Sequence, residues 1–333
     1  RELRKAYDKY NARAASIVVM NPITGDILAM ASLPSFNLNA PAKRSRDSVR
    51  NRVINDFFEP GSVFKIVTAA AALEENVVDF KSPFFCENGE YRIGRRVLHD
   101  HTPHGVLTFK EVIEKSSNIG TVKVAALFGP GRMYKYMKGF GFYDRTGIDL
   151  PGEVVGMNRP ISKWSGVSMF AIPMGHEVTT TAIQLASAVS VIADNGYLVR
   201  PRIVKEIIDE RGQALKEFPP RVVRKVISPL TAAKVRSILR GVVESGTGKK
   251  ARIEEVSAGG KTGTAQKVEQ GVYSHERFIA SFVGFAPVER PALSIVVCVD
   301  EPRPVYYCGD VAAPVFKTVM DESLKYLNAK GAL

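Results

Sequence analysis

The segment that most constrains this chain runs from residue 58 to residue 73, where a turn gives way to an apolar stretch. Pro60 and Gly61 interrupt what precedes them, and the residues that follow, up to Leu73, are rich in alanine and apolar side chains. Such a run favours a buried helix, because alanine and apolar residues tolerate the helical conformation while proline and glycine end it. We therefore predict a buried helix that Ser62 opens.

Ser62 and Lys65 are the chemically informative residues of this helix. A serine at a helix start is usually an N-cap, which accepts hydrogen bonds from backbone N–H groups one turn on. Lys65 favours another interpretation, because residues three apart lie on the same helix face. A lysine in an apolar helix is costly unless it is paired or loses its proton, and a neutral amine beside a hydroxyl is a nucleophile with its base attached. Alone, Ser-x-x-Lys is a weak signal.

Two further motifs follow in the order that the Ser-x-x-Lys class of serine acyltransferases requires. They are Ser116-Ser117-Asn118 and Lys261-Thr262-Gly263-Thr264. With them the sequence resembles the transpeptidase domain of class B penicillin-binding proteins, the division type more than the elongation type. The resemblance covers nearly the whole chain and extends to residues 59–61, 100–105 and 278–287.

The residue chemistry and the resemblance together assign the catalytic roles. Ser62 is the expected nucleophile, and Lys65 takes its proton, with repulsion from Lys261 lowering the pKa of the Lys65 amine. Asn118 holds Lys65 through its side-chain oxygen and binds the substrate backbone through its amide. Ser116 relays a proton to the departing amine.

Substrate binding is assigned to the third motif. Lys261, Thr262 and Thr264 are expected to bind a terminal carboxylate, with both hydroxyls directed by a strand. A Cβ at Gly263 would crowd the cleft. The resemblance implies that the backbone N–H groups of Ser62 and Thr264 form the oxyanion hole. The motif alone would indicate a turn with a surface lysine, but three motifs in order favour the site.

Three residues depart from these roles or from the family pattern. Ser117, between the two functional residues of the second motif, is expected to point away from the site. His176 and Glu177 stand where the family usually has the last two residues of Gly-Gln-Gly. Whether the loop that carries them touches substrate is left open by the sequence.

The resemblance implies a peptidoglycan D,D-transpeptidase. Ser62 would attack a D-Ala-D-Ala stem peptide, an amine from a neighbouring stem peptide would resolve the acyl-enzyme, and β-lactams would acylate the same serine. No cofactor and no metal are implied. Three alternatives remain: a β-lactamase, for which no convincing loop supplies the base that activates water, a non-enzymatic β-lactam sensor, and a D,D-carboxypeptidase.

Composition agrees with a globular domain. The 333 residues are 45% hydrophobic and 24% charged, with a formal net charge of +12. This balance excludes a disordered chain and favours acidic surroundings, but no nucleic-acid-binding signature accompanies the charge. The sequence contains neither an apolar membrane span nor a signal peptide. By resemblance, we expect an amino-terminal membrane anchor and a non-catalytic module before this domain, a location outside the bacterial cytoplasmic membrane, and a glycan polymerase and other division proteins as partners.

Histidines and cysteines suggest further sites that we do not favour. His99, His101 and His104 lie close in sequence, but their spacing is not a recognised zinc pattern. Of the three cysteines, Cys298 lies in an apolar run and is expected to be buried. Cys308 could pair with Cys86, which the sequence alone does not decide.

The order of elements predicts an α+β fold. Two apolar runs between residues 16 and 31, separated by an Asn-Pro-x-Thr-Gly turn, indicate a hairpin. Helical patterns recur at 109–128 and 132–140. Strand-like runs at 256–267, 278–285 and 292–299 precede a final helix at about 313–327. We therefore predict a central antiparallel sheet flanked by helices, within one domain of residues 1–333, with a mostly helical lobe inserted at roughly 70–195. This is also the fold of the serine β-lactamase and penicillin-binding transpeptidase class.

Overall fold

The computed structural model describes residues 1–94, 96–269 and 271–331. The strands in this part of the chain are β1 (Ala14–Met20), β2 (Ile27–Leu33), β3 (Phe57–Phe58), β4 (Pro83–Phe85), β5 (Glu90–Ile93), β6 (Arg96–His99), β7 (Val106–Thr108), β8 (Thr180–Thr181), β9 (Tyr197–Val199), β10 (Glu206–Ile208), β11 (Ala214–Glu217), β12 (Val222–Lys225), β13 (Gly259–Glu269), β14 (Val272–Ala286) and β15 (Leu293–Asp300).

The α-helices of the same residues alternate with these strands. They are α1 (Glu2–Lys9), α2 (Arg52–Asn55), α3 (Lys65–Glu74), α4 (Phe109–Glu114), α5 (Asn118–Gly139), α6 (Ser168–Ala171), α7 (Ala182–Ala193), α8 (Pro229–Glu244), α9 (Cys308–Val311) and α10 (Ala313–Ala329).

The central element is a five-stranded sheet with the order β13-β14-β15-β1-β2, in which each neighbouring pair is antiparallel. Its strands come from the two ends of the chain, and β13, which carries the third motif, lies at one edge. The predicted α+β class with a central antiparallel sheet is therefore confirmed, as is the hairpin of β1 and β2. The boundaries of the inserted lobe stay a prediction.

Helices cover both faces of this sheet at its centre, which explains why the inner strands β1 and β15 are apolar along most of their length. Every residue of β1 is buried. Ile17 and Val19 belong to a cluster with Phe316 of α10, whereas Val18 and Met20 belong to a second cluster that includes residues of α3, α7 and α8. Because successive side chains of a strand point to opposite faces, a sheet buried on both faces needs apolar residues at consecutive positions.

Two helices differ from the sequence prediction. The Ser62 segment begins as a 3-10 turn, Gly61–Phe64, which continues directly into α3. The predicted helix from residue 109 to residue 128 is broken into α4 and α5 at the second motif, and α5 then runs on past a kink at Gly129. The kink has a physical cause, because Gly129 has a positive φ of 75° and Pro130 cannot donate a backbone hydrogen bond.

Phe316 offers a test of this layered core. Its side chain is fully buried, and its ring centroid lies 4.7 Å from that of Phe282 in β14. We expect Phe316→Ala to lower the free energy of unfolding by about 3–5 kcal/mol, because it leaves a cavity between α10 and the sheet. Tyr326→Ala on the same helix is the control, since that side chain is 63% exposed. If denaturant unfolding gave the same loss of free energy of unfolding for both variants, the assigned packing would be wrong.

Candidate active site

Ser62 lies in the 3-10 turn before α3 and is half-buried. Its hydroxyl does not act as a helix cap, because the capping position is Pro60 and no side-chain cap is formed. The turn packs against the loop that holds Gly175, whose carbonyl accepts a hydrogen bond from the Gly61 N–H at 3.1 Å. Gly175 permits this close approach, since a Cβ there would lie 2.1 Å from the Gly61 carbonyl oxygen. Because the Ser62 hydroxyl forms no cap, the N-cap interpretation of Ser62 is wrong.

Lys65 is the first residue of α3 and has no exposed surface. Its amine donates hydrogen bonds to the Ser116 carbonyl at 2.6 Å, to the Ser116 hydroxyl at 3.2 Å and to Oδ1 of Asn118 at 2.8 Å. The buried amine is therefore satisfied by the second motif.

The hydroxyl of Ser116 lies between two amines. Lys261 reaches it from β13, with Nζ 2.9 Å from Oγ, and Lys65 reaches it from α3. The backbone of Ser116 has a φ of +60°, which is unusual for a residue with a side chain and typically costs about 1–3 kcal/mol. This conformation brings both its carbonyl and its hydroxyl to the Lys65 amine.

The rest of the second motif turns to the residues before β7. Nδ2 of Asn118 donates to the His99 carbonyl at 2.9 Å, so one of its two amide hydrogens is engaged. Ser117 caps α5 by accepting from the Gly120 N–H and donates to Asp100 at 2.6 Å. The Ser117 side chain therefore bonds to Asp100 and to the start of α5 and not to the amines of Lys65 and Lys261.

Burial lowers the pKa of both amines, and neighbouring groups act on each of them. Burial lowers the pKa of Lys65 well below its ordinary value, and repulsion from Lys261 lowers it further, whereas the Asp100 carboxylate opposes both. Burial also lowers the pKa of Lys261 to about 7, with the Cys308 thiol acting in the opposite direction. An amine that gives up its proton readily is able to accept one from a neighbouring hydroxyl.

The threonines of the third motif have partners that the sequence did not indicate. The hydroxyls of Thr262 and Thr247 lie 2.7 Å apart, and Oγ1 of Thr264 accepts a hydrogen bond from the Cys308 N–H at 3.1 Å. Thr247 belongs to the Gly-Thr-Gly-Lys segment at 246–249, which lacks the residues of a phosphate-binding loop. The contact with Thr262 explains its presence better.

Gly263 lies against the turn that carries Ser62. A Cβ at this position would lie 2.7 Å from Cγ2 of Val63, 2.7 Å from Oγ of Ser281 and 2.8 Å from the Pro60 carbonyl oxygen. The atoms that exclude a side chain thus belong to the Ser62 turn and to β14. The glycine allows this turn to rest directly on the edge strand.

A loop beside the turn depends on Glu59. Its carboxylate accepts from the Glu177 N–H at 2.9 Å and from the Tyr273 hydroxyl at 3.2 Å, and it lies 3.0 Å from Nδ1 of His176. The two residues that depart from the family pattern, His176 and Glu177, therefore bind the residue that begins Glu-Pro-Gly-Ser. Sequence reasoning assigned Glu59 no role, because its partners are distant in sequence.

The remaining candidate sites have ordinary explanations. The ring of His101 packs on Tyr307 with centroids 5.1 Å apart. Within the residues described, no group of three His, Cys, Asp or Glu side chains could hold a metal ion.

Cys86, Cys298 and Cys308 are all free and buried, so the pairing left open by the sequence is not formed. None of the described helices is both long and apolar enough to cross a membrane.

A Ser-x-x-Lys motif that leads from a turn into a buried helix, beside the edge of an antiparallel sheet, is typical of the penicillin-binding serine acyltransferases. The family model for the penicillin-binding protein transpeptidase domain matches residues 15–321. The chain belongs to this family, as the transpeptidase domain of a class B penicillin-binding protein.

Curated relatives and solved structures agree with this assignment. Stage V sporulation protein D of Bacillus subtilis is 40% identical over 99% of this chain and 52% of its own length. The probable peptidoglycan D,D-transpeptidase PenA of Neisseria flavescens is 34% identical, over 98% of this chain and 79% of its own length. Penicillin-binding protein 3 of Mycobacterium tuberculosis, in complex with aztreonam, superposes with a TM-score of 0.92 at 32% identity, covering 98% of this chain and 76% of that one. The chain spans about half the length of several of the curated relatives it matches.

Gly263→Ala tests the contact between β13 and the Ser62 turn. We expect a loss of about 1–3 kcal/mol in the free energy of unfolding, because the new methyl group overpacks the contact. Labelling of Ser62 by a fluorescent penicillin should slow as well, since the turn must move. Gly166→Ala is the control, as nothing lies within 4 Å of its Cβ position. Wild-type stability and labelling in Gly263→Ala would refute the contact.

Lys261 predicts a specific dependence of stability on pH. Its pKa is about 7 in the folded chain and about 10.4 in an unfolded one. Between these values the unfolded state binds one more proton, so stability rises with pH, by about 1.4 kcal/mol per pH unit for one lysine. Lys261→Met should reduce the slope of unfolding free energy between about pH 8 and 9.5 by this amount. Unchanged slopes would mean that Lys261 keeps its proton in the folded protein.

Proposed function

We propose that this chain is the catalytic domain of a peptidoglycan D,D-transpeptidase that acts in septal wall synthesis. Residues 1–333 form one such domain, with a mostly helical lobe at roughly 70–195. The observation that carries the proposal is the hydroxyl of Ser116, which bonds two fully buried amines on separate elements, Lys65 and Lys261. The pKa of both amines is lowered, as a proton relay at neutral pH requires.

Acylation begins at Ser62. Its hydroxyl attacks the carbonyl carbon of the penultimate D-alanine of a D-Ala-D-Ala stem peptide, and its proton passes to the neutral Lys65 amine. The tetrahedral oxyanion is held by the backbone N–H groups of Ser62 and Thr264, each worth on the order of 3 kcal/mol. Collapse breaks the peptide bond, and the nitrogen of the leaving D-alanine takes a proton that Ser116 relays from Lys65.

The third motif holds the substrate in place for this attack. Lys261, Thr262, and Thr264 bind the terminal carboxylate, and the free amide hydrogen of Asn118 binds the peptide backbone. An amine of a second stem peptide then attacks the acyl-enzyme, which releases Ser62 and forms the crosslink. A β-lactam mimics the D-Ala-D-Ala terminus and acylates the same hydroxyl.

The alternative functions are less well supported by this site. A β-lactamase needs a base that activates water against the acyl-enzyme. The carboxylates that contact the motifs and the turn, Asp100 and Glu59, each already bind three groups. A β-lactam sensor would be acylated without turnover, and a D,D-carboxypeptidase would use water in place of the amine.

The same proposal extends to location and partners. A domain with this substrate works outside the bacterial cytoplasmic membrane, carried by an amino-terminal anchor. Its partners are a glycan polymerase and other division proteins, together with stem peptides and β-lactams. The net charge of +12 is consistent with an anionic wall.

Labelling with a fluorescent penicillin tests the nucleophile. We expect stable label on the wild-type chain and none on Ser62→Ala, since the hydroxyl that forms the ester is missing. Ser323→Ala, on α10 across the sheet, should label as the wild type does. Label on Ser62→Ala would rule out this nucleophile, and rapid release from the wild type would favour a β-lactamase. Release of D-alanine from a D-Ala-D-Ala donor, with formation of the amide to an added amine, then separates a transpeptidase from a carboxypeptidase or a sensor.

A further inference from the structure

Asp100 is a carboxylate to which the roles above give no part, and it holds the backbone of the second motif. It accepts hydrogen bonds from the Ser117 hydroxyl at 2.6 Å, from the N–H of Asn118 and from the N–H of Ile119 at 3.1 Å. We propose that Asp100 is a positioning residue for acyl transfer, which holds Ser116 and Asn118 against the two buried amines. This inference rests on the transpeptidase function proposed above.

The position of Asp100 at the start of α5 explains how it could act. The first N–H groups of a helix have no partner within the helix, and a carboxylate there is favoured by the helix dipole. Asp100 takes the first two N–H groups of α5, while the preceding residue, His99, takes the side-chain amide of Asn118 through its carbonyl. Two consecutive residues therefore fix both the backbone and the side chain of Asn118.

Ser116 depends on the same hold. Its left-handed backbone, with φ at +60°, lies directly before the residues that Asp100 binds. A serine adopts this conformation only where its surroundings enforce it. In this conformation its carbonyl and hydroxyl both meet Lys65, and the hydroxyl also meets Lys261. Loss of the Asp100 bonds would let the turn relax and withdraw the acceptors from both amines.

The charge of Asp100 gives the proposal a second readout. The charged groups that act on the Lys65 amine are Lys261 from β13 and Asp100 from the segment after β6, and the contacts from the second motif are neutral. Asp100 raises the pKa of Lys65, against burial and Lys261, which lower it. Removing this charge while keeping the shape should therefore lower the pKa of Lys65 further. The base would then stay neutral at lower pH.

Two substitutions separate position from charge. Asp100→Ala removes the hydrogen bonds, and we expect the second-order constant for acylation by a fluorescent penicillin to fall about 10²-fold, as for misplaced catalytic groups. Asp100→Asn keeps an acceptor for the two N–H groups, so its constant should fall less. Its acylation rate should decline with acid at a pH about one unit lower than in the wild type. Each rate is divided by the fraction of molecules that is folded, and thermal unfolding measures that fraction.

Glu74→Gln is the matched control. The Glu74 carboxylate accepts from the N–H and the hydroxyl of Ser228, which caps α8, at the opposite end of α3 from Lys65. It should lose stability without a change in the acylation constant or in its pH dependence. If Asp100→Ala acylates like Glu74→Gln, or if Asp100→Asn keeps the wild-type acid limb, the positioning role is wrong. Absence of label on the wild type would instead overturn the transpeptidase function, and this inference with it.

Discussion

Two buried lysine amines share the hydroxyl of Ser116, and the surrounding structure makes this costly arrangement tolerable. Neither Lys65 nor Lys261 has exposed surface. Burying an unpaired ammonium group is so unfavourable that the group loses its proton instead. Neutral hydrogen-bond acceptors surround the Lys65 amine. The Asp100 carboxylate raises the pKa of this amine without a hydrogen bond to it. The neutral acceptors that make burial tolerable thus leave an amine whose lowered pKa suits it to accept a proton.

The fold meets this requirement through close approach of the backbone at one turn. Gly263 lets the edge strand β13 touch the Ser62 turn, and Gly175 lets a loop from the other side touch Gly61. The sheet that supplies β13 is assembled from both ends of the chain and is covered on both faces. The edge strand β13, which carries Lys261, is thereby held against the turn that leads into α3, which carries Lys65.

The sequence predicted those parts of the site that local periodicity controls. The helical spacing of Ser62 and Lys65 requires no knowledge of distant residues, and the α+β order of elements follows from apolar runs and turns. The chain order of three motifs then predicted their convergence. The partners of Glu59, the Thr247–Thr262 contact and the hold of Asp100 on α5 could not be predicted, because each joins segments whose proximity only the folded chain establishes.

The sequence did not predict the 3-10 turn before α3 or the break between α4 and α5, for a related reason. Propensity favoured one continuous helix in each place, but tertiary contacts overrode it. Ser116 is the clearest case, since its positive φ has no signal in a Ser-Ser-Asn sequence and is supported by contacts with Lys65 and Lys261. Departures from local preference thus coincide with the site.

The buried thiols have a consequence for how this chain can be produced. Burial raises the pKa of Cys86, and it raises the pKa of Cys308 to about 12, so the reactive thiolate is scarce at neutral pH. No disulfide contributes to the described fold, which is held by noncovalent packing, hydrogen bonds and ion pairs. Folding therefore needs neither an oxidising compartment nor a disulfide isomerase, and reducing agents leave the architecture intact.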